Sequence, residues 1–394
     1  MSLFDLPEVD KTTRAKKPKL GRYQRVMKLL QEEQDSYKVF VDFDDRRPSE
    51  KRFNFIDLFS GAGGMTLGFS DAGFEPVASV EVSSVASATH ERNFPNCKHF
   101  CGNIVDFSPA EWLGDNRDSI QLVVGGPPCQ GFSVAGRRDP DDPRNILFKE
   151  FVRVVGEVQP WYVVMENVPG ILTMQGGRVR KAITESFAEI GYPNVSVAIL
   201  EAAQFKVPQI RSRAIFIANR FDMVNPFPKA QLEPKSYLPI ESAISDLPAY
   251  TPLPEINHEW TKHSKEFMER ISKVPPGGSL YESYFDAFKR QYPGLPSMTI
   301  KENHGGTHIH PFLNRVISAR EMARLQSFPD SFIFEGSMKK AMWQIGNAVP
   351  PRLAECIGLA LAPYLTAIQQ GTFATEGVRA RERTARANRQ TELL

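Results

Sequence analysis

From Phe53 to about Arg220, short apolar runs alternate with amphipathic stretches. A run of four to eight branched and aromatic residues bounded by turn formers predicts a buried strand, and apolar residues three and four apart predict a helix. On that basis "FNFIDLF", "PVASVEV", "IQLVVGG", "WYVVMEN", "VSVAILEA" and "RAIFIANR" read as strands, and "SVASATHERNF" and "RVRKAITESFAEIG" as helices, the second ending at Gly191. Strands interleaved with helices predict an α/β fold around a mostly parallel sheet. After Phe221 the pattern dissolves. "MVNPFPKAQLEPKSYLPIESAISDLPAYTPLPE" is dense in proline and weakly periodic, which predicts a second, smaller, loop-rich domain. Periodicity returns at "SAREMARLQSF", where Ala319, Met322 and Ala323 share a helix face, and at "PPRLAECIGLALAPYL". The expected division is an N-terminal extension over 1–52, a first domain over 53–221, the loop-rich domain over 222–312, a return to the first domain over 313–370 and a tail over 371–394.

Composition narrows the class. With 394 residues, 41% hydrophobic and 24% charged, the chain can bury a sizeable core. No secretory leader is legible in "MSLFDLPEVDKTTRAKKPK", and the late apolar stretch from Ile357 is interrupted by Pro363, so a soluble, cytoplasmic protein with no membrane partner is expected. Four cysteines, at 97, 101, 129 and 356, are too sparse for a disulfide framework. Cys97 and Cys101 lack a second ligand pair at zinc spacing, so ordinary thiols are expected there. The histidines of "HGGTHIHP", which begins at His304, sit in a glycine-bearing loop with no helix to set ligand spacing, and no metal is expected. Net charge is only +2, but "KTTRAKKPKLGR" and "VRARERTARANR" concentrate basic residues in the two tails, where they read as solvated segments able to add sequence-independent phosphate affinity.

The candidate chemistry gathers at the carboxyl ends of the predicted strands. "FIDLFSGAGGMTLGF" is a strand, a glycine turn and a helix start, which lets backbone approach a ligand. It is no dinucleotide fingerprint, because Thr66 stands where the third glycine would. Glu81 ends the next strand about 20 residues later, where a carboxylate can accept from ribose hydroxyls. An adenosine-containing ligand without a pyrophosphate fits, S-adenosylmethionine foremost; a tight turn with no ligand is the alternative. A third strand delivers Cys129 in "GPPCQGFS", a fourth delivers Glu166 and Asn167, and "QIRSR" sets Gln209, Arg211 and Arg213 on one face.

"DLFSGAGGMTLGF", "GPPCQGFS", "ENV", "QIRSR", "AREMARLQSFPDSF" and "QIGNAVPP", in that order from about Asn54 to Gly358, resemble the motifs of the DNA (cytosine-5)-methyltransferases. The resemblance implies a Rossmann-like S-adenosylmethionine-dependent methyltransferase sheet with a target-recognition domain in the proline-rich region. It also implies a reaction in which the Cys129 thiolate adds to carbon 6 of a cytosine flipped out of double-stranded DNA. By the same resemblance Glu166 meets ring nitrogen 3 and the exocyclic amine, and Arg213 the base carbonyl. Phe59, Ser60, Gly61, Gly63 and Gly64, with Glu81, Asn103, Pro128, Asn347 and Val349, hold S-adenosyl-L-methionine. Asn103 departs from the family's usual acidic residue, so its amide oxygen would have to accept from the adenine amine. Gln130, Ser133 and Arg211 are expected on the DNA side, Arg211 first of all as a support for its loop, and the histidines of "HGGTHIHP" are expected in a loop or facing DNA. A monomer is expected, with a cognate restriction endonuclease as a possible companion. Methylation of cytosine in RNA, and a binding protein that keeps the fold without transfer, are the alternatives.

Overall fold

The computed structural model describes residues 35–128, 146–281, 288–301 and 308–372. Along the first part of the chain run β1 (Lys38–Val41), β2 (Phe53–Leu58), α1 (Gly64–Asp71), β3 (Phe74–Glu81), α2 (Ser84–Asn93), β4 (Lys98–Cys101), α3 (Pro109–Leu113) and β5 (Ile120–Gly125). They are followed by α4 (Ile146–Val158), β6 (Tyr162–Asn167), α5 (Arg178–Glu189), β7 (Asn194–Glu201), β8 (Ser212–Asn219) and β9 (Asn225–Pro228). Seven strands form one sheet in the order β4-β3-β2-β5-β6-β8-β7. It is parallel except for β8, which runs antiparallel to both neighbours. The chain order steps outward from β2 to β4 and then restarts at β5 on the other side of β2, so the carboxyl ends of β2 and β5 diverge into the crevice where α/β sheets bind ligands.

Side chains alternate across the sheet as the two-residue strand period requires. Phe53 and Phe55, Leu122 and Val124, Tyr162 and Val164, Ile215 and Ile217, and Ala198 and Leu200 point into one buried cluster with Phe69 of α1. That cluster also takes in a helix from the far end of the chain, α10 (Pro351–Gln369), through Leu353, Ile357 and Leu361. On the opposite side Phe151 of α4 lies against Gly125 and edge-on to Phe187 of α5.

The return of α10 depends on small residues. A Cβ on Gly68 would sit 2.2 Å from the Pro351 carbonyl oxygen and 2.5 Å from the Ala354 methyl, and one on Gly358 would sit 2.6 Å from the Ala72 methyl. Gly64 does the same one turn earlier, its absent Cβ falling 2.3 Å from the Val349 oxygen. Spaced four apart, Gly64, Gly68 and Ala72 make one smooth stripe on α1 that lets α10 approach at backbone distance.

Between β9 and α10 lie α6 (Glu241–Ile244), α7 (Lys265–Ser272), the two-residue strands β10 (Lys289–Arg290) and β11 (His308–Ile309), α8 (Ala319–Leu325) and α9 (Met338–Asn347). Ile240, Ile244, Ile300, Met322, Leu325, Phe328, Phe332, Phe334 and Ile345 form a second core, and Ile271, Val274 and Ile309 a third, smaller one. Helix α8 opens with the reciprocal cap its sequence encodes: Ser318 Oγ accepts from the Glu321 N–H at 3.0 Å and Glu321 Oε2 from the Ser318 N–H at 2.6 Å.

Several elements differ from the sequence reading. The extension expected over 1–52 contributes an ordered strand, because β1 pairs in parallel with β9 from Lys38 opposite Asn225 to Val41 opposite Pro228. Strand β4 escaped notice because "KHFC" carries no apolar run; it is an edge strand with both ends exposed. Helix α4, not singled out before, buries Phe151, Val152, Val154, Val155 and Val158, an apolar face at helical spacing. Pro363 does not interrupt α10, which continues through it to Gln369. No helix among the described residues is long and apolar enough to cross a membrane.

Candidate active site

Strand register brings the site together. Leu58 is paired with Val80 and with Gly125, and Gly125 with Met165, so Phe59, Glu81, Gly126 and Glu166 leave the sheet at one level. The turn after β2 is tight: Phe59, Gly61 and Gly63 all have positive φ, at 59°, 55° and 100°. A phenylalanine at φ 59° is a strained choice, held here by the sheet before it and the helix after it. Glu81 ties the turn to β3, its carboxylate accepting from the Gly61 N–H at 2.9 Å and from the Ser83 N–H at 2.8 Å. Burial raises the pKa of this carboxyl, and the backbone donors oppose the rise.

The glycines of the turn divide by duty. Gly61 faces open space, with nothing within 4 Å of the position a Cβ would take. Gly63 is packed on Phe94 and His90, at 2.6 and 2.9 Å from the same position, and Gly64 on the backbone of Val349. Gly63 and Gly64 thus shape the turn by steric fit, and Gly61 leaves its face clear. Ser60 Oγ is buried without a hydrogen-bond partner. Thr66, the residue that breaks the dinucleotide spacing, is wholly buried and donates to Asp57 Oδ2 at 2.6 Å. Burial pushes Asp57 up to about 7.

Two exposed apolar residues at this edge were missed by sequence reading: Val82, 71% exposed directly after Glu81, and Val105, 49% exposed near Asn103. An apolar residue placed just beyond a strand-end carboxylate was the available signal. Asn103 caps the short turn that follows, its Oδ1 accepting from the Val105 N–H at 3.2 Å. Asn347 is exposed at the end of α9, and Val349 is buried beside Gly64.

At the end of β6, Glu166 Oε1 forms an ion pair with Arg213 Nε on β8 at 2.5 Å, each side chain 13% exposed. The antiparallel pairing of β6 with β8 sets Glu166 opposite Ile215 and brings Arg213 alongside. Gly126 leaves room for this carboxyl: a Cβ there would lie 3.0 Å from Glu166 Oε2 and would shift the carboxyl by a few tenths of an ångström. Asn167, also delivered by β6, donates from Nδ2 to the Pro127 carbonyl at 2.9 Å and so anchors the start of the Pro-Pro loop. Pro128 is exposed; Cys129, Gln130 and Ser133 lie outside the described residues.

Two expectations are corrected. Arg211, expected on the DNA side, is 2% exposed, and its guanidinium donates to the carbonyls of Ile300, Gly346 and Ala348 at 2.7, 2.9 and 2.9 Å. It fastens the end of α9 and the 300 segment to β8 and has no surface to offer a phosphate. His308 and His310, expected in a loop or facing DNA, do not face outward: each is 6% exposed, His308 in β11 and His310 in the loop that follows it. His310 Nδ1 accepts from the N–H groups of Phe312 and Leu313, both at 3.1 Å, and burial lowers its pKa to about 4. His304 lies outside the described residues.

By its strand order and the chemistry gathered at the sheet edge, the molecule has the Rossmann-like architecture of a methyltransferase. Residues 53–362 match the family model for C-5 cytosine-specific DNA methylase. The chain is 41% identical over 323 residues to the type II methyltransferase M1.HphI of Haemophilus parahaemolyticus, covering 78% of this chain and 86% of that protein. It is 35% identical to M.DdeI of Desulfomicrobium norvegicum, covering 79% and 89%. A crystal structure described as that of a DNA modification methyltransferase encoded within an E. coli prophage superposes with a TM-score of 0.67 at 29% identity, covering 80% of this chain and 100% of that one. The chain belongs to the C-5 cytosine-specific DNA methylase family and is a DNA (cytosine-5)-methyltransferase.

Proposed function

We propose that this enzyme methylates carbon 5 of a cytosine turned out of duplex DNA, using S-adenosylmethionine as donor and a transient bond from Cys129 to carbon 6 of the base. The observation that carries the proposal is the Glu166–Arg213 pair at the mouth of β6, level with the glycine turn and pressed against Gly126. Carbon 5 of cytosine is a poor nucleophile, and addition of a thiolate at carbon 6 makes it an enamine carbon. Cys129 follows Pro128 directly in the chain, and Asn167 steadies that loop at Pro127. Glu166, oriented by Arg213, is suited to hydrogen-bond ring nitrogen 3 and the exocyclic amine and to move a proton there as charge develops on the ring.

The residues present fit the donor. Ser60 offers a buried hydroxyl with no partner, Gly61 an open backbone face, Glu81 a carboxylate beside it, and Val82 and Val105 exposed apolar surface for an aromatic base. S-adenosylmethionine, when bound, supplies an electrophilic methyl group. Asn103 would accept from the adenine amine with the remaining lone pair of Oδ1. The region over 222–312 is the proposed target-recognition domain, and a restriction endonuclease acting on the same site is the proposed companion, as the type II names of the relatives suggest.

The test is trapping on duplex DNA containing 5-fluorocytosine, where fluorine blocks release of the adduct. A complex stable to denaturation is expected for the wild type and absent for Cys129→Ser, and Glu166→Gln should slow transfer by roughly 10²- to 10⁴-fold. A Cys129→Ala protein that methylates at the wild-type rate would overturn the proposal.

A further inference from the structure

Beneath the glycine turn lies a cluster that the transfer reaction does not use. Ring nitrogens of His90 and His99 and Sγ of Cys97 all lie within 4.8 Å of one another, His90 and Cys97 buried and His99 half-buried. They come from the last turn of α2 and from the entry to β4, two elements that the turn rests on: His90 also packs on Gly63. We propose that these three side chains form a binding site for one divalent transition-metal ion of the zinc type.

The spacing fits. Nδ1 of His90 and Nδ1 of His99 are 3.2 Å apart, and a tetrahedral ion about 2.0–2.1 Å from each would hold them at about 3.3–3.4 Å. A thiolate about 2.3 Å from the same ion stands about 3.6 Å from each nitrogen, so Cys97, within 4.8 Å of both rings, would draw in by about an ångström at most. A thiolate with two imidazoles is a donor set that selects zinc over magnesium or calcium.

The hydrogen bonds around the cluster favour a cation. His99 Nε2 lies 3.1 Å from the Phe94 carbonyl, which can only accept, so that nitrogen carries a proton and a neutral ring leaves Nδ1 an acceptor, met by Ser79 Oγ at 2.9 Å. With Asp57 ionised, Thr66 spends its hydroxyl proton on that carboxylate, His90 Nε2, 2.8 Å from Thr66 Oγ1, donates to the hydroxyl, and His90 Nδ1 is left unprotonated as well. Two lone pairs then face each other across 3.2 Å. An ion between them removes the conflict; it displaces the Ser79 hydroxyl from His99 Nδ1 and leaves the other outer hydrogen bonds in place, Nε2–H of His99 to Phe94 and Nε2–H of His90 through Thr66 to Asp57. That is the outer shell by which metal-bound histidines are oriented. The Cys97 thiolate and the Asp57 carboxylate together would balance the charge of a divalent ion. The competing arrangement is a proton held on Asp57, which reverses the Thr66 and His90 bonds and needs no cysteine.

Full-length protein prepared without a polyhistidine tag is titrated with Co²⁺ as the probe, and zinc content is measured after dialysis. The expected result is one equivalent per chain, with a thiolate-to-cobalt charge-transfer band that survives Cys101→Ala, Cys129→Ala and Cys356→Ala and is lost in Cys97→Ala. Thr66→Val, which removes only the outer partner, should weaken cobalt binding by roughly 10- to 100-fold. Wild-type protein with a native circular dichroism spectrum that binds neither ion overturns the site and leaves the proton arrangement. So does a band that persists in Cys97→Ser, or cobalt affinity unchanged in both Thr66→Val and His99→Ala.

Discussion

The sheet body and the segment from Ile240 to Phe334 are held together in different ways. In the first, strands and helices satisfy their own backbone, and the fit is steric: Gly64, Gly68 and Gly125 each have a carbonyl oxygen 2.2–2.3 Å from where a Cβ would be. In the second, little of the chain is in helices or strands, so many carbonyls have no partner of their own and must find one when buried. Arginines supply it. Arg290, 5% exposed, donates to the carbonyls of Val274, His310, Leu313 and Ile271. Arg320, wholly buried, donates to those of Ile256, Pro329 and Phe332. Arg315 reaches Ala249 and Val316, forms a two-pronged pair with Glu321 at 2.7 and 2.8 Å, and lies 4.2 Å over the Trp260 ring. Each guanidinium carries five N–H groups in a rigid fork and takes the place of a small piece of sheet.

The comparison predicts opposite weaknesses, and the largest effect belongs to the arginines. Burial of Arg320 lowers its pKa to about 10, yet the side chain remains cationic at neutral pH, and its worth lies in the carbonyls it satisfies. Each carbonyl left buried and unpaired costs about 1–3 kcal/mol. Arg320→Met should therefore destabilise the protein by on the order of 3–5 kcal/mol in urea unfolding, and Arg320→Lys should recover little, because one ammonium cannot reach three divergent acceptors. A loss below about 1 kcal/mol for the methionine variant would mean that helix packing, and not donor supply, holds this region.

The same contrast explains what could be read from sequence. Short apolar runs bounded by turn formers named six of the seven strands because a strand buried in the sheet is apolar along its length, with Phe53 and Phe55 or Tyr162 and Val164 entering one core. Glu81, Glu166 and Arg213 were legible at strand ends for the same reason. Residues whose partners come from distant chain were not. Arg211 reads as a DNA-side residue as well as a support for its loop because nothing local shows that Ile300, Gly346 and Ala348 converge on it. Cys97 read as an ordinary thiol because His90 and His99 meet it only through the turn from α2 into β4. Gly68 carried a signal, four residues after Gly64, but its reason lies in the distant helix that begins at Pro351.

That glycine gives the next prediction. Alanine in place of glycine inside a helix is worth about 1 kcal/mol in propensity, so Gly68→Ala would stabilise α1 if space allowed. The Cβ would instead fall 2.2 Å from a backbone oxygen, which no side-chain rotation can relieve. The clash wins, with a net loss of about 1–3 kcal/mol. Gly156, inside α4, meets its nearest neighbour at 3.4 Å, the Cγ2 methyl of Ile190. Gly156→Ala should be neutral or gain up to about 1 kcal/mol. Thermal melting of the two variants side by side separates steric fit from propensity, and equal shifts in one direction would deny that α1 and α10 approach so closely.

The smallest expected change is at Ser60, where the sheet body departs from its own rule. Its hydroxyl is buried and has no partner, a cost that the free protein bears. Removing it should not destabilise the fold, so Ser60→Ala should melt within about 0.5 kcal/mol of the wild type or slightly above it. If the hydroxyl is kept for the methyl donor, the same substitution should weaken S-adenosylmethionine binding by about 2- to 10-fold in calorimetry, the worth of one hydrogen bond. Stability and affinity then move independently, as expected of a group whose partner is a ligand. Unchanged affinity together with a higher melting point would instead make the hydroxyl an uncompensated polar group in the core, and the cradle for the donor would rest on Gly61, Glu81 and the exposed valines alone.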